Sequence, residues 1–400
     1  MSFARRPALI VAVGVTAIAL AVLPGSVEAA PVVSAAKLPV PAGTTSSYVA
    51  DLNNSGVSVG TVTVNGTQRA IRWSGRGYTL LDTPAANPGS TAAVVNEGGT
   101  VAGTLAIPGL SNVVIRRWLP AGSTSDCAQS GNTLGVTAIN LSGETLNRTV
   151  SGPGVYSANV CRADGTSVAT GMPSAFALAD DGRVAGYINT GSIQGNTLAF
   201  VPVVRSSDAT VTQLPVPDGK SGEAYAFGPG NTVIGEIGSW TLHLNGPRPY
   251  VTFDPEKVAI WRNGQLTQLG TLGGATSSAL PTQRTVSRTG DIIGTSLTAS
   301  GQNHAFLWRQ GRMIDLGTLG GPSSRPTAVN DRGQVVGVST TKSGASHAFL
   351  WSGGRMIDLG APGGATSTAV DINDTGQIVG YVQATDGTHS HAVRWTVRGS

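Results

Sequence analysis

Residues His304 to Gly321 read HAFLWRQGRMIDLGTLGG, and 43 residues further on His347 to Gly364 read HAFLWSGGRMIDLGAPGG. A third copy begins at His391 as HAVRW. A spelling that recurs at fixed spacing calls for one structural unit, copied and stacked. A second marker, a polar turn followed by a short apolar strand ending in Gly, carries the repeat through the chain. It reads NNSGVSVG at 53–60, NEGGTVAG at 96–103, DDGRVAG at 180–186 and GNTVIG at 230–235. It continues as RTGDIIG at 288–294, NDRGQVVG at 330–337 and NDTGQIVG at 373–380, with an eroded copy, TAINLSGETLN, at 137–147. The closing positions Gly60, Gly103, Asn147, Gly186, Gly235, Gly294, Gly337 and Gly380 define eight units, with insertions after Gly186 and Gly235.

Each unit reads as four short strands. In the copy around residue 340 these are Thr327–Asn330, Gln334–Ser339, His347–Trp351 and Arg355–Leu359, the last two joined by Gly353-Gly354. The equivalent joint Asn263-Gly264 is a leading type I′ hairpin dipeptide. This register sets Trp351 opposite Met356 and Phe349 opposite Asp358. Large apolar residues then fall on both faces, so both faces must be buried. A small antiparallel sheet buried on both sides and repeated about every 43 residues is a propeller blade. A β-solenoid is the rival, but its coils are shorter and do not use such hairpins. The expected fold is therefore all-β, a propeller of eight four-stranded blades, or seven if 137–170 is an irregular insertion. The chain stops after a third strand, and Lys37-Leu38-Pro39-Val40-Pro41 resembles a spare fourth strand. Pairing of the N-terminal strand with the last blade is expected to close the ring.

Composition agrees with strand and turn. There are 55 Gly and 22 Pro, and charged residues make up 12% where about 25% is usual. The net charge of +4 is spread thinly, without a basic run, so nucleic acid is not an expected partner. At the N-terminus, Arg5 and Arg6 precede an apolar run from Ala8 to Leu23, a break at Pro24-Gly25, and small residues up to Ala29. That is the layout of a cleaved signal peptide over residues 1–29, and the run is short for a membrane anchor. Residues 30–400 are then one propeller domain, expected to be secreted, monomeric and without a transmembrane segment. The arginine pair leaves twin-arginine export open beside the general route. Cys127 and Cys161 suit an oxidising compartment, and a disulfide between them is expected in preference to two buried thiols.

HAFLW followed by MIDLGTLGG, with AVNDxGQVVG between copies, resembles the HAF-repeat family of probable extracellular bacterial proteins. The match is close over 258–395 and weakened over 40–257, where Ile71-Arg72-Trp73 and Val160-Cys161-Arg162 stand in place of HAFLW. The resemblance implies secretion and a repeat β architecture, and brings no known reaction.

No residue set suggests catalysis, a metal or another cofactor. His304, His347 and His391 occupy one repeat position, which spreads them around a ring and makes them structural. Asp315 and Asp358 recur opposite Phe306 and Phe349, with a buried hydrogen bond to a nearby His or amide as their expected role. Trp261, Trp308, Trp351 and Trp395 share a core position with Trp73 and Trp118. The Asx-rich turns lack the pattern of a calcium loop and read as side-chain-capped turns. The Gly pairs at 273–274, 320–321 and 363–364 read as crossovers between blades. Trp240, His243 and Tyr250 fall off the pattern within 235–294, and are the candidate ligand contacts, since function favours loops on a rigid scaffold. The expected function is a non-enzymatic binding or interaction module for a glycan, cell-wall component or protein. The alternative is a polysaccharide-directed hydrolase or lyase using the axial funnel, against which the mainly apolar inner strands count.

Overall fold

Inner strands form where Val, Ala, Ser and Thr run up to a polar turn: Thr44–Leu52, Ser90–Val95, Asn132–Ile139, Ser174–Leu178, Ser221–Gly228, Gly273–Ala279, Gly320–Val329 and Thr366–Ile372. The computed structural model describes residues 31–81, 89–106, 113–127, 132–152, 155–194, 197–243 and 250–399. The targeting segment read at 1–29 lies outside them. Each inner strand heads an antiparallel sheet of four, and together they make eight blades. The seventh blade is Gly320–Val329, Val335–Thr341, Ser346–Ser352 and Arg355–Asp358, with Phe349 paired to Asp358 and Trp351 to Met356 as expected. The eroded copy at 137–147 belongs to a full third blade, so the count is eight and not seven.

The ring closes in the last blade, where Val32–Lys37 pairs antiparallel with Ser390–Arg398, from Val32 opposite Arg398 to Lys37 opposite Val393. The closing strand lies earlier than the 37–41 stretch that the sequence suggested. Pro39 and Pro41 have no N–H to give to a ladder, whereas Val32–Lys37 has every donor. The Gly pairs at 273–274 and 320–321 also differ from expectation. They begin inner strands instead of crossing between blades. A Cβ on Gly321 would sit 2.4 Å from Thr340 Oγ1, so the close approach of the second strand requires Gly there. The same holds at the closing Gly337, where a Cβ would meet the Arg325 carbonyl at 2.1 Å.

Blades pack face to face through a repeated contact, Trp on the third strand of one blade against Leu at the end of the preceding blade. Trp73 lies with Leu38, Trp118 with Leu81, Trp261 with Leu214, Trp351 with Leu316, and Trp395 with Leu359. Trp73 and Trp261 also donate Nε1–H to the carbonyls of Pro39 and Pro215, each at 2.7 Å. The insertions fall in the fourth and fifth blades, whose middle hairpins are lengthened (Val184–Gln194 with Thr197–Arg205, Thr232–His243 with Tyr250–Arg262). These hairpins pair with each other at Thr197–Thr241 and Leu198–Trp240, fusing the two blades into one sheet.

Candidate functional site: a plugged axis

The turns between first and second strands meet around the axis on one face and form a ladder of their own. Asn53 Oδ1 accepts from Val57 N at 3.0 Å, while its Nδ2 donates to the Asn96 carbonyl of the next blade at 3.0 Å. Asn96 repeats this toward Asn140, Asn140 toward Ala179, Asn330 toward Asn373, and Asn373 toward Asn53. One residue further, backbone amides donate to carboxylates of the next blade: Asn54 to Glu97, Leu141 to Asp180, Arg288 to Asp331, Asp331 to Asp374. The Asx turns are thus capped, as their composition suggested, and they also join neighbouring blades.

The sixth blade departs from this scheme. Between Ala279 and Ser287 its first turn is longer than its counterparts and folds into a 3-10 turn, Gln283–Thr285, placed across the axis. Gln283 Oε1 accepts from Phe227 N at 3.1 Å, and its Nε2 donates to the Leu178 carbonyl at 3.4 Å. Arg284 reaches to the opposite side, where Nη2 donates to the Ala50 carbonyl at 2.8 Å and to Asp51 Oδ1 at 2.5 Å, and Nε lies 3.4 Å from Asp371 Oδ2. Asp51 and Asp371 belong to the first and last blades, so one guanidinium from the sixth blade bridges the joint between them. Each carboxylate also caps the next inner strand: Asp51 accepts from Val95 N at 2.7 Å, Asp371 from Leu52 N at 3.1 Å.

Burial opposes charge on Arg284, but Asp371 and Asp51 outweigh it and hold the guanidinium more firmly protonated than usual. Burial pushes Asp371 up to about 7, against the pull of Arg284 and with the neighbouring Asp51 charge adding to the rise. These directions oppose each other on one pair. The side chain of Arg284 is 30% exposed, and the water this admits favours the ionised pair. Above the plug, a cavity of about 370 Å³ is lined by Asn54, Glu97, Asp180, Arg288, Asp331 and Asp374. Arg288, 69% exposed, spans Asp331 and Asp374 at 2.6 and 2.5 Å. A second hollow of about 360 Å³ separates the plug from Val94, Val95, Val136 and Ala138.

A second acidic group lies at the base of the plug. Glu223 and Glu236, 7% and 2% exposed, stand opposite each other on the first two strands of the fifth blade. Tyr225 Oη lies 2.6 Å from Glu223 Oε2 and 3.3 Å from Glu236 Oε2. Glu236 Oε1 accepts from Ser278 Oγ at 2.7 Å and from Ala279 N at 2.5 Å, on the strand that leads directly into the plug. Burial pushes both carboxyls up to about 7, the Tyr225 hydroxyl working against it at each.

The residues singled out in the sequence lie elsewhere. His304 and His347 sit on third strands, with Nδ1 at 2.9 and 3.0 Å from Asp315 and Asp358. The hydrogen bond to His is present, but both Asp side chains are more than 40% exposed, so it is a bond at the rim and not a buried one. The last blade puts Lys37 where the sixth and seventh carry that Asp, because its fourth strand comes from the N-terminus. Burial and the Lys37 charge lower the pKa of His391. Trp261, Trp351 and Trp395 are buried and Trp308 half-buried. Trp240 stands in an aromatic stack with Phe200, Phe253 and Tyr187, at centroid distances of 4.4, 5.3 and 5.7 Å, across the fused hairpins. His243 Nε2 bonds Thr252 Oγ1 at 2.8 Å. Tyr250 opens the return strand opposite His243; its side chain lies outside the described residues. Cys127 and Cys161 form a disulfide.

Sequence reasoning missed Arg284, Asp51, Asp371 and the Glu223–Glu236 pair. The available signals were the extra residues between Ala279 and Ser287, and an acid directly after the closing Gly235 in a chain with few charges.

The fold and axis define an eight-bladed β-propeller with a plugged centre. No family model matches the chain, and no curated protein does either. Among solved structures it is similar to a puromycin hydrolase (12% identity, 87% of this chain, 58% of that one, TM-score 0.48). It is also similar to an acylaminoacyl peptidase of Pyrococcus horikoshii (12%, 85% and 58%, 0.47). A third similarity is to YCF48 from Cyanidioschyzon merolae (13%, 90% and 97%, 0.43). The chain spans less than two thirds of the length of the first two.

Proposed function

We propose that this chain is a secreted member of the HAF-repeat family and acts as a non-enzymatic binding module, outside the cell or at its surface. Its ligand would meet the axial mouth above the plug. The observation that carries this reading is the charge of that mouth. Glu97, Asp180, Asp331 and Asp374 line the cavity together with Asp51 and Asp371, against two cations, Arg284 and Arg288. In a protein of net charge +4 this acidity is local, and it suits a ligand with amino or guanidino groups, such as a basic peptide segment. The layout of residues 1–29 supports secretion. The competing reading, a polysaccharide-directed hydrolase or lyase in the axial funnel, needs an acid and a base that reach substrate. Asp51 and Asp371 are engaged by Arg284 and backbone amides, and Glu223 and Glu236 are sealed from solvent.

Calorimetric titration with a Lys/Arg-rich peptide tests the proposal. Binding should weaken with added salt, and Asp331→Asn with Asp374→Asn should weaken it about tenfold. Equal binding by wild type and variant, or no binding at low salt, overturns it.

A further inference from the structure

Glu223 and Glu236 are two carboxyls in one buried site without a cation. Neither forms an ion pair with Lys or Arg among the described residues. The other titratable groups facing them are Tyr225 on the same strand as Glu223 and Tyr187 from the fourth blade, which burial and the charge of Glu223 push up to about 12. Phe176 closes the site edge-on against Tyr225 at 4.9 Å.

The hydrogen-bond geometry sets one hydroxyl proton between two carboxyls. Glu236 Oε1 is an acceptor only, taking Ser278 Oγ–H and Ala279 N–H. Tyr225 has one hydroxyl proton, and the shorter contact gives it to Glu223 Oε2. The same hydroxyl lies 3.3 Å from Glu236 Oε2, and one proton cannot fully serve both carboxylates; a proton on either carboxyl, donated to Tyr225 Oη, satisfies both contacts. One carboxyl proton, held between Glu223 and Glu236 across Tyr225, therefore satisfies the cluster. If that proton leaves, two anions face each other across one hydroxyl in a buried site.

The consequence falls on the plug. Ala279, whose amide Glu236 accepts, is the residue before the segment that places Gln283 and Arg284 across the axis. Gln283 in turn bonds Phe227 N, two residues beyond Tyr225. We propose that the Glu223–Tyr225–Glu236 cluster is a proton-dependent latch on the base of the axial plug, closed while the shared proton is bound and loosened when it is lost.

The direction follows from burial. Both carboxyls hold protons more tightly in the folded protein, up to about 7, than an exposed Glu near 4.5. Their contribution to stability is complete below about pH 4.5 and is lost as pH rises through about 7.

Hydrogen exchange of the full chain, corrected for intrinsic rates, reads the latch at the Ala279 and Thr285 amides. Between pH 5.5 and 8.5 their protection should fall about tenfold or more in the wild type. Glu236→Gln reproduces the protonated form, with an oxygen for Ser278 and Ala279 and an N–H for Tyr225, and should stay protected at both pH values. Glu223→Gln should also stay protected, because a lone Glu236 carboxylate is satisfied by its three donors. Wild-type protection that is the same at both pH values overturns the proposal, as does either variant losing protection as steeply as the wild type. The test needs no ligand, so it stands apart from the binding reading.

Discussion

Cys161 is bonded to Cys127 across the joint between the second and third blades, with Cα atoms 5.9 Å apart, where other joints set Trp against Leu. Cys161 pairs with Thr145 as Trp351 pairs with Val335. Cys127 donates its amide to the Ile115 carbonyl as Leu359 does to that of Ala348. The disulfide therefore stands in for the interblade contact, at the blade where the repeat is most eroded and the closing Gly is replaced by the fully buried Asn147.

A covalent bond at that joint has a measurable weight. Its ends are 34 residues apart, and a closed loop of that size is worth about 3–4 kcal/mol. Replacing both cysteines by Ala should lower the denaturant midpoint accordingly, and adding reductant should affect only the wild type. A double variant that unfolds at the wild-type midpoint would show that packing alone holds this joint.

Closure of the ring rests on a strand far away in sequence from its partner. Val32–Lys37 supplies the fourth strand of the last blade. Deleting residues 31–42 removes it, together with Leu38, and exposes the edge of Ser390–Arg398. The truncated protein should aggregate or melt far below the intact one. Identical melting curves would mean that the seam contributes nothing.

The Arg284 bridge is a further tie between the first and last blades. Arg284→Met leaves Asp51 and Asp371 facing each other with backbone donors only. Because the guanidinium is 30% exposed, the expected cost is about 1–3 kcal/mol, below that of a fully buried pair. Adding Asp51→Asn and Asp371→Asn to that variant should restore part of the loss. If the single and triple variants unfold at the same denaturant concentration, the carboxylates do not depend on Arg284.

Local information was enough for the blade. The 43-residue period, the Gly that ends each second strand and the Asn263-Gly264 hairpin depend on neighbouring residues and the pleat, so the strand pairing around Trp351 and Phe349 could be read from the sequence. Closure was legible as well, although not its residues, because the absence of an N–H at Pro39 and Pro41 had to be weighed against donors earlier in the chain. The hydrogen bond between His304 and Asp315 was foreseen, while its exposure depended on how far each blade's outer strand stands from its neighbours.

The candidate site was hardly legible. The break in the repeat marked 235–294 as unusual, and within it Trp240 is the tryptophan that falls off the repeat position. In the structure Trp240 fills the joint between two lengthened hairpins. Arg284 looks like an ordinary turn residue until the ring brings Asp51 and Asp371 to within its reach, 233 residues away in the first case. The sequence by itself determined the unit, its period and the need to pair the ends, because periodic burial is a local property of the chain. The eroded copy at 137–147 left the count between eight and seven, which the full third blade decides as eight. Only the tertiary structure decided what lies at the centre, because a closed ring brings to one axis charges that no local pattern relates.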